Sequence, residues 1–170
     1  MIRAIPRPGD IGLTNITGLV GKGIEVGQWL NGDGFAPWEH AFLVMPDGNL
    51  IEAMPGGAQI VPLTEYDDRD VVYVSPAGLT PAQRWAITAC ARQYEGVPYS
   101  FADYAAIATH RLHIPAPGLR TFVASTGHMI CSQLVDRAYS DAGIQLFNDK
   151  RWEGYVTPMG LFNRLSPAAS

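Results

Sequence analysis

The chain has 170 residues, of which 47% are hydrophobic and 16% are charged, a composition typical of a globular protein and unlike that of a disordered one. This length predicts a single domain spanning residues 1–170 with room for a buried core. The formal net charge of −4 and the scattered Lys and Arg residues exclude the basic patch of a nucleic-acid-binding protein, and no stretch approaches the roughly 20 apolar residues that span a bilayer.

The first half of the sequence predicts mainly β-structure. A turn at Pro8-Gly9-Asp10 leads into a short strand at residues 11–14, and the apolar spacing over residues 16–30 indicates a short helix. Later segments are bounded by turn signals and are predicted as strands at residues 38–45, 49–53, 58–63 and 70–75.

The second half predicts helices. Thr80 is a favourable N-cap, Pro81 suits the first helical position, and Gly96 lies beyond the last turn. The apolar residues of this helix repeat at helical spacing and predict one buried stripe, made of Ala82, Trp85, Ala86, Ala89 and Cys90. The remaining elements are predicted as a helix over 99–112, a loop over 114–127, a helix from Ile130 to Asp141 ended by Gly143, and a short strand or turn with a helical turn over 155–165. This order predicts an α+β fold in which an antiparallel sheet packs against helices.

The two cysteines occupy different positions in their predicted helices. Cys90 lies on the apolar stripe and is expected to be a buried core residue. Cys131 follows a polar run at residues 125–128 and lies in the first turn of its helix, where unpaired backbone N–H groups and the helix dipole lower a thiol pKa. The same N–H groups could bind an oxyanion. The alternative is a core thiol, because Leu134 and Val135 share its helix face.

His40 and Glu52 are predicted to lie on one face of a β-hairpin. Pro46-Asp47-Gly48 suits a three-residue loop in which a type I turn precedes a last residue in the left-handed region. Phe42 then faces Glu52, and His40 lies one diagonal step away, with Cα atoms ~7–8 Å apart. A two-residue loop would shift the register by one residue and turn Glu52 away from His40.

Other residues compete for these roles. Glu39 is nearer to His40 in sequence, but a regular strand places it on the opposite face, whereas Trp38 is expected on the same face as His40. A zinc site is a further alternative, with ligands drawn from His110, His113, His128 and Cys131. Their spacing matches no strong zinc template, so we expect neither a metal nor another cofactor.

The N-terminus lacks an apolar run of signal-peptide length, because Pro6 and Pro8 interrupt it. We therefore expect synthesis in the cytoplasm, so that action outside the cell would require release by lysis or delivery. Two cysteines are too few for a disulfide framework, and free thiols agree with this expectation.

Four short stretches carry a resemblance to a known family. They are PGDI at 8–11, WEHAF at 38–42, LIEA at 50–53 and MICSQLV at 129–135. Together they resemble the circularly permuted branch of the NlpC-like, papain-like superfamily, which includes the YiiX-type bacterial proteins and the lecithin:retinol acyltransferase-like proteins. The order histidine, acid, cysteine is the permuted one, since unpermuted relatives have the cysteine first.

The resemblance implies a small papain-like α+β fold and a catalytic triad made of Cys131 as nucleophile, His40 as base and Glu52 as the residue that orients the base. Tyr99 and Trp38 are the residues expected to line the substrate site. The backbone N–H of Cys131 would be one oxyanion donor.

The family implies a cysteine peptidase, amidase or acyltransferase. The leading expectation is hydrolysis of an amide, with a cell-wall peptide as substrate. One alternative is a thioesterase, a lipid acyl hydrolase or an acyltransferase, which the apolar segment 101–127 favours. Another is a non-catalytic binding module of the same fold, in which Cys131 would be buried and unreactive.

Overall fold

The computed structural model describes residues 5–15, 38–98, 130–148 and 156–166. Within these ranges five strands form one antiparallel sheet with the spatial order β4-β3-β2-β1-β5. The strands are β1 (Ile11–Thr14), β2 (His40–Val44), β3 (Asn49–Met54), β4 (Gly57–Pro62) and β5 (Val71–Val74). The α-helices are α1 (Pro81–Arg92), α2 (Cys131–Asp141) and α3 (Pro158–Leu165), and a short 3-10 helix, Leu63–Tyr66, joins β4 to β5.

This architecture confirms the predicted α+β class and the antiparallel sheet. The bounds of α2 agree with the prediction, and Gly143 beyond its end has a φ of 80°, the left-handed conformation that favours glycine. The predicted helices at 16–30 and 99–112 and the predicted loop at 114–127 lie outside the described residues.

The two faces of the sheet bury different groups of residues. Side chains alternate along β2, so Ala41 and Leu43 face α2 while Phe42 and Val44 face away from it. The helix-side face forms the main core with residues of α2, among them Leu134, Val135 and Ala138. The opposite face carries a smaller cluster, made of Phe42, Val44, Leu50 and Tyr66.

Gly12 permits the close packing of that smaller cluster. It is paired with Phe42 across β1 and β2, and the ring of Phe42 lies over it. A Cβ added at Gly12 would lie 2.1 Å from the Phe42 ring, so any other residue would displace this ring. The ring in turn contacts Tyr66, with centroids 4.7 Å apart, which links β1 to the 3-10 helix.

The predicted buried stripe of α1 is wrong. Trp85 is 72% exposed and Cys90 is only half-buried, whereas the residues that α1 buries are Ile87, Thr88 and Ala91. The helix therefore begins where the sequence predicts, with Thr80 as N-cap and Pro81 in its first turn, but it is rotated about its axis relative to the prediction.

Polar contacts explain this rotation. The Nη1 atom of Arg84 donates to Oδ1 of Asp10 at 2.7 Å and to the carbonyl oxygen of Pro8 at 3.0 Å, so the Arg84 face of α1 is turned toward the start of β1. Thr88 can be buried on this face because its hydroxyl donates to helix carbonyls, including that of Trp85 at 3.0 Å. Counting only apolar residues overlooks both effects.

Candidate active site

The β2–β3 hairpin has the predicted register. Phe42 is paired with Glu52, as the three-residue loop requires, and the N–H of Met45 donates to the carbonyl of Asn49 at 2.8 Å. The prediction that places Glu52 on the His40 side of the hairpin is therefore confirmed.

The turn itself differs from the predicted type I turn. Asp47 and Gly48 both have positive φ, 61° and 73°, as in a type I′ turn, and the N–H of Asn49 donates to the carbonyl of Pro46 at 3.3 Å. Pro46 has no N–H to donate to Asn49, so Met45 donates in its place and Pro46 becomes an extra residue on the β2 side. This extra residue restores the register that a two-residue turn alone would have shifted.

His40 and Glu52 form a buried ion pair. The Nε2 atom of His40 lies 2.7 Å from Oε2 of Glu52, and the two residues are 1% and 4% exposed. Two further donors contact the carboxylate: the hydroxyl of Tyr66 reaches Oε2 at 2.5 Å, and Nε2 of Gln59 reaches Oε1 at 3.0 Å. Glu52 is thus a fully engaged acceptor and not a solvated strand carboxylate.

Cys131 is the first residue of α2 and is 1% exposed. Its thiol lies next to the imidazole of His40 and close to the backbone N–H groups of Ser132 and Ala41, which lower its pKa. The N–H of Ser132 is one of the first-turn groups that a helix leaves without an intrahelical acceptor. The N-cap residue is Ile130, whose side chain has no acceptor that could compete for these N–H groups.

The contact with Ala41 depends on where two strands separate. The pairing of β2 with β3 ends at Phe42 opposite Glu52, one residue after Ala41 along the chain. The N–H of Ala41 lies beyond this last pair and next to the sulfur of Cys131, whose pKa it lowers. The sulfur therefore lies where the start of α2 meets the opening of the hairpin.

Cys131 and His40 each shift the pKa of the other toward its charged form. Burial alone would lower the pKa of His40, but the neighbouring Cys131 and Glu52 raise it to about 9. Burial alone would raise the pKa of the Cys131 thiol, but the charge of His40 and the N–H donors lower it below its usual range. Both shifts favour the thiolate of Cys131 and the imidazolium of His40.

Glu52 completes this arrangement. Burial would raise its pKa, but the hydrogen bonds from His40, Tyr66 and Gln59 and the charge of His40 lower it, so the carboxyl is ionised. Because Nε2 of His40 contacts Glu52, the other ring nitrogen, Nδ1, is left for Cys131. The imidazole lies between the carboxylate of Glu52 and the sulfur of Cys131.

Two contacts hold the start of α2 in place. The hydroxyl of Ser132 donates to the carbonyl of Val156 at 2.6 Å, which ties α2 to the segment before α3. The side-chain oxygen of Gln133 accepts from the N–H of Ile130 at 3.2 Å, as the third residue of a capping box does. Both side chains are buried, so the first turn of α2 is fixed next to the sulfur.

Trp38 does not share a face with His40 as predicted. His40 is paired with Thr14, and the carbonyl of Thr14 accepts from the N–H of Glu39 at 3.0 Å. Glu39 and His40 therefore both lie opposite Thr14, as in a β-bulge. The regular alternation therefore starts only at His40. Trp38 packs on the helix side of the sheet against Phe162 of α3, with ring centroids 5.7 Å apart, and its substrate-binding role stays a prediction.

Tyr99 and the three other histidines, His110, His113 and His128, lie outside the described residues. Their predicted or alternative roles stay untested. Within the described ranges, no group of three or more His, Cys, Asp or Glu side chains is placed to hold a metal ion.

Sequence reasoning missed two residues that contact the pair of His40 and Glu52. Gln59 is next to Glu52 across β3 and β4, where an amide opposite a strand carboxylate is a detectable sign of a hydrogen bond. Tyr66 reaches Glu52 from the 3-10 helix, and no spacing in the sequence indicates that contact.

Comparison with protein-family models finds none that matches this chain, and comparison with curated proteins finds no match either. None of the helices in the described part of the chain is long and apolar enough to cross a bilayer.

Proposed function

We propose that the protein is a thiol hydrolase with a papain-like fold in the permuted order, in which Cys131, His40 and Glu52 form the catalytic triad. One observation carries this proposal: the imidazole of His40 is hydrogen-bonded to the buried carboxylate of Glu52 and lies next to the thiol of Cys131 at the start of a helix. This is the nucleophile, base and orienting group of acyl-transfer enzymes.

The fold proposal rests on where each member of the triad lies. Cys131 begins α2, which packs on β2 and β3, and these two strands supply His40 and Glu52. A cysteine helix packed on an antiparallel sheet is the arrangement that the family resemblance implies. In this chain the histidine and the acid precede the cysteine, which agrees with the permuted order.

The proposed reaction proceeds through an acyl-enzyme. The Cys131 thiolate attacks the carbonyl carbon of an amide, and a C–S bond forms as the carbonyl oxygen becomes an oxyanion beside the N–H of Cys131. When the oxyanion collapses, the C–N bond breaks and the His40 imidazolium gives its proton to the leaving amine. Neutral His40 then takes a proton from water, whose oxygen attacks the thioester carbon. The C–S bond breaks, the carboxylic acid product leaves, and the Cys131 thiolate and the His40 imidazolium are restored.

Amide hydrolysis, with a cell-wall peptide as the leading substrate, is the activity to test first. We expect the purified protein to release new amino groups from isolated peptidoglycan, and we expect Cys131→Ser and His40→Ala to release none. Release of fatty acid from lipid micelles, with no amine from peptidoglycan, would instead favour the acyl hydrolase alternative.

The non-catalytic alternative requires a buried and unreactive Cys131. Its burial fits that alternative, so the charge of the sulfur is what separates the two functions. We expect thiolate absorbance near 240 nm at pH 7 that disappears in Cys131→Ser and that decreases in His40→Ala. A Cys131 that is an uncharged thiol at pH 7 in the wild-type protein would remove the nucleophile and leave the binding module.

A further inference from the structure

Tyr66 contacts both the acid and the base of the proposed triad. It ends the 3-10 helix, its side chain is buried, and its hydroxyl donates to Oε2 of Glu52 at 2.5 Å. That oxygen is the one that contacts Nε2 of His40 at 2.7 Å. A single carboxylate oxygen is therefore held between a phenol and an imidazole.

The ring of Tyr66 also lies alongside the imidazole. The two rings are nearly parallel, with an interplanar angle of 13° and centroids 6.1 Å apart. Phe42 packs against the same tyrosine ring, and the guanidinium carbon of Arg69 lies 5.0 Å from its centroid. Tyr66 is thus held by its neighbours and can in turn limit the movement of His40.

We propose that Tyr66 is a positioning residue for the triad: its hydroxyl holds the Glu52 carboxylate against His40, and its ring limits the tilt of the imidazole. This inference rests on the proposed function, because it assigns Tyr66 a role through His40 and not through contact with a substrate. Its effect would be to keep Glu52 an ionised acceptor, so that the proton of the imidazolium stays on His40.

The charges around the site agree with this role. The charged and titratable groups that face Tyr66 and Glu52 among the described residues are His40 from β2, Cys131 from α2 and Arg69 from the segment after the 3-10 helix. Burial and the carboxylate of Glu52 raise the pKa of Tyr66, so the phenol stays neutral and can only donate to Glu52. This donation is one of the contacts that lower the pKa of Glu52.

The test is Tyr66→Phe, which removes the hydroxyl and keeps the ring. We expect the titration midpoint of the Glu52 carboxyl, read from its ¹³C NMR signal, to rise by about one pH unit because one donor to the carboxylate is lost. Below that higher midpoint Glu52 is protonated and no longer stabilises the His40 imidazolium. As the pH is lowered, the thiolate absorbance of Cys131 should therefore begin to decline at a higher pH than in the wild-type protein. Each thiolate signal is measured against the same variant carrying Cys131→Ser.

Two further variants separate positioning from packing. Tyr139→Phe is the matched control, since it also removes a buried hydroxyl that donates a hydrogen bond, in this case to the carbonyl of Gly9. It should lower stability and leave the Glu52 titration unchanged. Gln59→Met removes a third side-chain donor to Glu52, after His40 and Tyr66, at an exposed position. It should raise the Glu52 midpoint by less than Tyr66→Phe.

A Glu52 titration that is the same in Tyr66→Phe and wild type overturns the positioning role, and so does a larger shift in Gln59→Met. The proposed function fails on a different result, in which wild-type Cys131 is an uncharged thiol at pH 7 and His40→Ala does not alter it. These two failures are therefore distinguishable without a substrate.

Discussion

The two cysteines of this chain lie in two helices that pack on each other, and their surroundings differ. Cys90 lies near the end of α1, where its carbonyl accepts from the N–H of Gln93 at 3.1 Å and its side chain is half-buried. Cys131 lies at the start of α2, almost fully buried, with two backbone N–H donors and an imidazole around its sulfur. Burial would keep the Cys131 thiol protonated, but the charge of His40 and the N–H groups at the helix start favour its ionisation.

Burial and charge have opposite effects on the Cys131 thiol. A buried thiol without charged partners stays protonated, because burial disfavours the thiolate. Cys131 is the more buried of the two, yet its pKa is lowered, since His40 supplies the opposite charge. The charged groups next to α2 are therefore buried. Arg84 of α1, in contrast, lies near the surface and is paired with Asp10.

The largest expected effect comes from replacing each cysteine in turn. We expect Cys131→Ser to lower the rate of amide hydrolysis on the order of 10⁴-fold or more, as the loss of a triad nucleophile does. Cys90→Ser is the matched control and should keep the wild-type rate. Product release is measured for both variants at equal concentrations of folded protein. Equal losses in the two variants would mean that Cys131 has no special role.

The next effect concerns pH. The pKa of His40 is raised to about 9 and that of Cys131 is lowered below its usual range, so the thiolate and the imidazolium coexist from below the usual pKa of a thiol up to about 9. Activity should rise as Cys131 loses its proton and fall as the pH passes through about 9, where His40 can no longer protonate the leaving amine. A pH–rate profile of kcat/KM measures both limbs.

His40→Ala tests the same pair without a substrate. Loss of the imidazolium should return the Cys131 pKa toward that of an unperturbed thiol and lower its alkylation by iodoacetamide at pH 6 by about 10- to 100-fold. The rate is read for each cysteine by mass spectrometry. Cys90 is the internal control, and its rate should not change. A Cys131 rate that is unaffected by the substitution would break the link between the two residues.

Gly12→Ala tests whether the site depends on the far face of the sheet. The added Cβ would lie 2.1 Å from the Phe42 ring, so the ring must move, and we expect a loss of about 1–3 kcal/mol in unfolding free energy from urea denaturation. Since Phe42 packs against Tyr66, the displacement should also reach His40 and lower the thiolate fraction of Cys131. Gly48→Ala is a control, because its Cβ would meet no atom within 4 Å and only strain the turn. An unchanged thiolate signal in Gly12→Ala would show that the two faces are independent.

The sequence could predict the parts of the site that depend on local rules. The loop residues and the alternation of β3 were enough to place Glu52 on the side of His40, and the stop signal at Gly143 with the polar run before Cys131 was enough to place α2. The turn type was wrong, yet the register was right, because Pro46 lacks the N–H that a two-residue loop would need.

The parts that failed depend on contacts between distant segments. A hydrogen bond from Glu39 to Thr14 changes the direction of Trp38, and Tyr66 reaches Glu52 from another element. The orientation of α1 is set by Arg84 and the turn before β1, which no periodicity within the helix contains. Local patterns carry register and helix limits, and tertiary polar contacts decide which face is turned inward.

The smallest expected effect concerns the orientation of α1, which the polar contacts of Arg84 set. Arg84→Met removes the bonds to Asp10 and to the carbonyl of Pro8 and should cost about 1.5 kcal/mol of unfolding free energy. Trp85→Ser, at a residue that is 72% exposed, should change stability by no more than about 0.5 kcal/mol. Urea denaturation at constant m-value measures both. A larger loss in Trp85→Ser than in Arg84→Met would mean that the apolar stripe is buried after all, and that Cys90 shares the interior with Cys131.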